Sequence, residues 1–290
     1  MVFELGVLFA VASVVFWGFG DFLIQRSAKK IGDWETIFII CITGIIVLMP
    51  FVYSDLGAVL AGDSTFLILF GVSVVLLLAS LFHFESMRRG KIAVVESVMT
   101  MEVPVTILFA FFLINESIDY AGIALIVAML IGLFMISTKP HHFSRKAWLE
   151  KGVFLALLGA VLMGASNFFV GLASRITNPL LTVWFVDIVG AAVCLFYLLA
   201  NDRFGRMARD MKNSKRALLQ VSLLDNFGWI AFALAATLIP IGIAVALSES
   251  YIALAAVLGL LINKEILLRY QKIGLVISVV SAIALAALYA

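Results

Sequence analysis

Ten stretches of the chain are almost free of polar residues, at about 3–25, 34–53, 65–87, 92–114, 119–137, 149–173, 180–200, 217–238, 241–262 and 270–289. Each is close to the ~20 mostly apolar residues that an α-helix needs to cross a hydrocarbon core of about 30 Å. Between them lie short polar connections, and almost nothing is left for a soluble domain. The pattern predicts an all-α integral membrane protein with ten transmembrane helices. The first run lacks a basic leader and a small-residue cleavage pattern, so it is expected to be a true span and not a removable signal.

Composition agrees, with 64% hydrophobic and 13% charged residues against roughly half and a quarter in ordinary globular domains. The net charge of +2 says little as a total, but its distribution says more. Every Lys and Arg except Arg175 lies in or beside the connections 1–2, 3–4, 5–6, 7–8 and 9–10. By the positive-inside bias these connections are expected in the cytoplasm, and both termini outside a multi-pass cell-membrane protein. The most basic of them, the loop 203–216, is read as a solvated topology determinant. Nucleic-acid binding has no supporting motif. Cys41 and Cys194 both fall within spans, where small apolar packing is their expected role.

The chain also repeats itself. A shift of 146 residues lays "GVLFAVASVVFWGFGDF" at 6–22 on "GVFLALLGAVLMGASNFF" at 152–169, so that Gly18 meets Gly164, Asp21 meets Asn167 and Phe22 meets Phe168. A shift of 149 lays "INES" at 114–117 on "NKEI" at 263–266. Five spans plus five is the consequence, with a first unit at 1–138, a connecting loop at 139–148 and a second unit at 149–290. An odd number of spans inverts the second unit in the membrane, and the charges follow: connection 2–3 carries no basic residue where 7–8 carries six. Inverted repeats are a common build of secondary transporters, with the substrate site near the midplane.

These residues carry a family resemblance. The aromatic–Gly–x–x–x–Phe pattern of Trp17, Gly18 and Phe22, the "MRRG" turn before helix 4, Pro104, Glu116 and Gly122 recur in part as Gly164, Phe168, Glu265 and Gly274. Over nearly its whole length the chain resembles the EamA-type transporters of the drug/metabolite transporter superfamily. The resemblance implies ten helices around a central cavity and alternating-access carriage of small metabolites, amino acids or drugs. Two departures stand out. Ala253 replaces Pro104 in helix 9, and the Glu116–Gly122 spacing is three residues shorter than Glu265–Gly274. A different hinge in the second half is therefore expected.

Ionisable residues inside spans are functional candidates, because each costs at least ~2.5 kcal/mol at the bilayer centre. Here they are Glu85, Glu96, Glu102, Asp187, Asp225 and Glu249, with no Lys or Arg among them in the spans. Such carboxylates must be protonated, wetted, or matched by a cation that comes and goes. Glu102, Asp187, Asp225 and Glu249 fall near the midplane and are the expected substrate or proton ligands. On a continuous helix Glu96 and Glu102 would stand ~120° apart, one toward the cavity and the other against a neighbour. Glu102 is favoured for the cavity by its depth.

Asp225, Asn226 and Trp229 would suit an ammonium group through carboxylate pairing and cation–π attraction, or pack between helices. Asp21 and Asn167 could gate opposite mouths or cap helices. His83 with Glu85 could relay protons near the cytoplasmic mouth, or His83 could simply sit at the interface beside Arg88 and Arg89. Glu116 and Glu265 are expected to be structural, each meeting the N-terminus of the helix that follows.

The chain has no phosphate-binding loop, paired-Cys or His-x-x-x-His metal pattern, or nucleophile elbow. No catalytic residue, metal site or cofactor is expected. The expected function is secondary transport, by export, of a small organic solute such as a metabolite or amino acid, with proton coupling through the carboxylates. The alternatives are a carrier for cationic amines, choline-like solutes or a divalent metal, an intramembrane lipid-modifying enzyme, or a scaffold that moves nothing.

Overall fold

A computed structural model describes residues 2–27, 32–57, 63–89, 92–138, 151–262 and 267–290. The described residues form helices without a strand: α1 (Val2–Ser27), α2 (Asp33–Val52), α3 (Asp63–Arg89), α4a (Ile92–Met99), α4b (Glu102–Ile114), α5 (Tyr120–Ser137), α6 (Lys151–Ile176), α7 (Pro179–Ala200), α8 (Phe204–Leu238), α9a (Ile241–Glu249), α9b (Tyr251–Ile262) and α10 (Arg269–Tyr289). With α4 and α9 each taken as one interrupted span, ten helical segments are long and apolar enough to cross a membrane.

Local chemistry sets several boundaries. Asp119 caps α5 by accepting from the Gly122 N–H at 3.1 Å, and Asn178 caps α7 through the Leu180 N–H, with Pro179 in the first turn. Both are favoured N-terminal arrangements. Asn115 ends α4b in the left-handed region at φ 54°, a conformation that asparagine tolerates better than most residues. Large apolar side chains such as Leu8, Ile46, Phe112, Phe196 and Ile283 are exposed, as a surface facing lipid requires.

The basic segment 203–216 corrects the sequence reading. It is not a loop, because α8 starts at Phe204 and runs unbroken for 35 residues. Its Arg and Lys residues are adequate helix formers, and nothing before Pro240 interrupts the ladder. The expected connection 139–148 and Glu265 lie outside the described residues.

Packing follows the duplication. α1 packs on α8 and α3 on α6, while α2 packs on α7 and α5 on α10. Exchanging the halves turns the first pair into the second and returns each of the others to itself, as a two-fold axis between inverted repeats demands. Side-chain detail agrees. A Cβ on Gly18 would stand 2.7 Å from Leu254, and one on Gly164 would stand 2.7 Å from Val105. Gly18 and Gly164 are related by the 146-residue shift, and Val105 and Leu254 by the 149-residue shift.

Helices 4 and 9 are interrupted at equivalent places. In α4 the Met101 N–H donates to the Val98 carbonyl at 3.0 Å and the Val105 N–H to Met101 at 3.2 Å; in α9 Ser250 donates to Leu247 at 3.1 Å and Leu254 to Ser250 at 3.4 Å. Each bond is its counterpart moved by 149 residues. The replacement of Pro104 by Ala253 therefore leaves the break in place, contrary to the different hinge expected. A shared feature is a hydroxyl that folds back on the ladder: Thr100 donates to the Ser97 carbonyl at 2.8 Å and Ser250 to Leu247 at 2.6 Å. Such bonds compete with regular helix.

Candidate functional site

The two breaks bring polar groups to one level. Gly242 near the start of α9a lies against Ile107 of α4b, where an added Cβ would stand 2.9 Å from the isoleucine. From that crossing Glu249 is seven residues along α9a and Glu102 five residues back along α4b. At 1.5 Å per residue the two carboxylates come within about 3 Å of the same depth. Both are buried, at 6% and 5% exposure for Glu102 and Glu249.

Their helix ends differ in sign. Glu102 stands in the first turn of α4b, at the positive end of the helix dipole. Glu249 closes α9a, where the carbonyl end supplies partial negative charge. The angle of ~120° between Glu96 and Glu102 assumed a continuous helix and does not survive the break.

Hydroxyls complete this level. Ser13 of α1 donates to the Ala10 carbonyl at 2.7 Å, and its hydroxyl is hydrogen-bonded to that of Ser248 at 2.6 Å. Thr106 donates to the carbonyls of Glu102 and Gly164, both at 2.9 Å, so α6 approaches α4b through a glycine. Beside the α9 break lies an aromatic cluster. Trp17 meets Trp229 edge-on at 5.3 Å between ring centroids, with Tyr251 and Phe232 each 6.0 Å from Trp17. Trp229, expected to join Asp225 and Asn226, is part of this cluster.

A second polar centre lies between α2, α7 and α8. Asn226 donates its amide to the Ile40 carbonyl at 3.0 Å and to the Ser222 carbonyl at 2.9 Å. That fixes the amide, so its oxygen points away from both carbonyls. A Cβ on Gly44 would overlap both this oxygen and Asp187 Oδ2, which places the two oxygens no more than 4 Å apart. The Cys41 thiol and the Asp225 carboxyl both lie within electrostatic reach of Asp187.

The remaining candidates are dispersed. Asp21 lies on α1 and Glu96 on α4a, but their side chains are outside the described residues. Asn167 is buried nine residues before the end of α6, deeper than a mouth position. Glu85 pairs with Arg89 one turn away, while His83 lies beside Gly159 of α6. Glu116 does not meet the helix that follows it, since Asp119 already caps α5. It accepts from the Gly242 N–H at 3.2 Å and pairs with Arg175 at 2.9 Å. Among the described residues no group of three or more His, Cys, Asp or Glu could hold a metal ion.

Sequence reasoning missed Ser13, Ser248, Tyr251 and Phe232 as neighbours, and it left Cys41 as packing. It also missed Gly44. A signal for the α2–α7 contact was present, because the 146-residue shift that aligns helices 1 and 6 also lays Cys41 on Asp187 and Gly44 on Gly190.

The model of the EamA-like transporter family matches residues 4–138 and again 150–287, so each match covers one five-helix unit. No curated protein matches. Twenty-nine chains of solved structures match. One of them, described only as "Crystal structure of protein", is similar at 15% identity with a TM-score of 0.75, covering 98% of this chain and 97% of its own. That likeness shows a shared fold. With its two family matches, its inverted five-helix repeats and its ten membrane spans, the chain belongs to the EamA-like transporter family.

Proposed function

We propose that the protein is a secondary active transporter that exports small organic metabolites or amino acids by alternating access, binding its solute at the level of the two helix breaks. The observation that carries this reading is the matched interruption of α4 and α9. A broken membrane helix exposes backbone polar groups that lipid cannot satisfy, so it is tolerated where it meets protein or lines a polar path. The buried Glu102, Glu249, Ser13, Ser248 and Thr106 all gather at that level. The transporter resides in the cell membrane with its basic connections cytoplasmic and both termini outside, and a gradient drives it.

A narrower reading, carriage of a cationic amine, is favoured by the aromatic cluster beside Glu249. Indole and phenol faces attract ammonium groups by about 0.5–2 kcal/mol, and the carboxylate at the carbonyl end of α9a adds negative potential. The test is flux in liposomes containing the purified protein, with radiolabelled amino acids and tetraethylammonium as probes. At least one probe is expected to move, and Glu249→Gln to reduce its flux about tenfold, equivalent to ~1.4 kcal/mol. Trp229→Ala should selectively weaken tetraethylammonium. Flux unchanged by Glu249→Gln overturns the site, and tetraethylammonium transport indifferent to Trp229→Ala overturns the amine reading.

A further inference from the structure

The centre between α2, α7 and α8 has a different build from the level of the helix breaks. Asp187 is 6% exposed, and its Oδ2 has no hydrogen-bond partner. The nearest polar atom that the geometry identifies is Asn226 Oδ1, no more than 4 Å away. This oxygen cannot be exchanged for a donor, because the amide nitrogen is held by the Ile40 and Ser222 carbonyls. Two acceptor oxygens facing one another in a dry interior repel unless something positive lies between them.

The symmetry locates this centre on the axis between the repeats. Gly44 of α2 faces Asp187 of α7, and Gly190 of α7 faces Cys41 of α2, where an added Cβ would stand 2.8 Å from the sulfur. Cys41 and Asp187 therefore occupy equivalent places. The first half carries a weakly polar thiol, and the second carries an acid.

We propose that Asp187 and Asn226 form a proton-binding site at the axis between the two halves, in which a proton on Asp187 Oδ2 is donated to Asn226 Oδ1. This deepens the transport reading and rests on it for its purpose, which is coupling solute movement to a proton gradient from outside the solute path. A proton fits the donor set better than a metal ion, because one proton needs only these two oxygens. A metal ion would need several converging ligands, and no such group is present among the described residues. The titratable groups acting on Asp187 are Asp225 from α8 and the Cys41 thiol from α2. Helices α3 and α6, which also pack on α7, contribute none among the described residues.

The test uses the full chain in lipid nanodiscs and reads the proton itself, by infrared difference spectroscopy between acid and alkaline buffer. A protonated carboxyl band is expected that Asp187→Asn removes and Asn226→Leu moves to higher frequency, since the acid then loses its acceptor. Asn226→Asp serves if Leu is not tolerated, and is expected to shift the titration of the same band. An unchanged band in Asp187→Asn overturns the proposal, as does a band indifferent to both Asn226 variants. Displacement of the titration by sodium ions in place of protons also overturns it. No solute is needed, so a negative result here leaves the liposome test of transport standing, and the converse also holds.

Discussion

At the scale of single residues, the absence of a side chain is as informative as its presence. Gly44 leaves the space that Asp187 Oδ2 and Asn226 Oδ1 occupy, so Gly44→Ala forces atoms together in a packed interior. Overpacking of this kind costs about 1–3 kcal/mol, and a lower unfolding temperature in detergent is the expected result. Glu35 makes the complementary point. It is 1% exposed and pairs with Arg203 at 2.9 Å, although the arginine is a third exposed. Removing the arginine strands a buried carboxylate, and allowing for solvent around the guanidinium, Arg203→Ala is expected to cost about 2 kcal/mol. Thermal unfolding of the purified variant checks it, with Arg203→Lys restoring part of the loss.

At the scale of elements, the helices were legible and their interruptions were not. Ten apolar runs of spanning length recur in the structure with small shifts, because length and hydrophobicity alone decide what can cross a bilayer. The α9 break was hidden because proline was taken as the hinge signal, whereas Ser250 and its neighbours interrupt the ladder without one. It follows that Pro104→Ala should keep the α4 break, with amide exchange at Met101 to Val105 remaining fast compared with the middle of α4b. Helix contacts offer a sharper test. A Cβ on Gly132 of α5 would stand 2.6 Å from the Gly274 carbonyl of α10. Backbone gives way less readily than a side-chain tip, so Gly132→Ala is expected to destabilise by about 1–3 kcal/mol, seen as an earlier transition in thermal scans.

At the scale of the whole molecule, the duplication was readable from glycines and charges, while the pairing of helices across it required coordinates. The candidate acids were legible as a set, since charge in a span stands out. Their division into a level at the breaks and a separate centre on the axis was not, because neither depth nor facing direction follows from spacing along one helix. Arg175, visible in sequence only as an exception to the charge pattern, ties three helix ends together. It donates to the carbonyls of Ala236 and Ile239 at 2.6 and 2.9 Å while pairing with Glu116. Arg175→Gln should loosen this end of the molecule, raising amide exchange around residues 238–242 on the order of tenfold, as expected for loss of a charge-assisted bond worth roughly 1.5–3 kcal/mol.

The matched seats of Gly18 on Leu254 and Gly164 on Val105 bear on how the molecule changes shape. If the first half takes the conformation of the second, and the second that of the first, these contacts merely trade places. In the alternating-access cycle we propose, the two access states would then be nearly degenerate in packing energy. The balance between them rests on places where the halves chemically disagree, such as the acid of Asp187 facing the thiol of Cys41 across the axis.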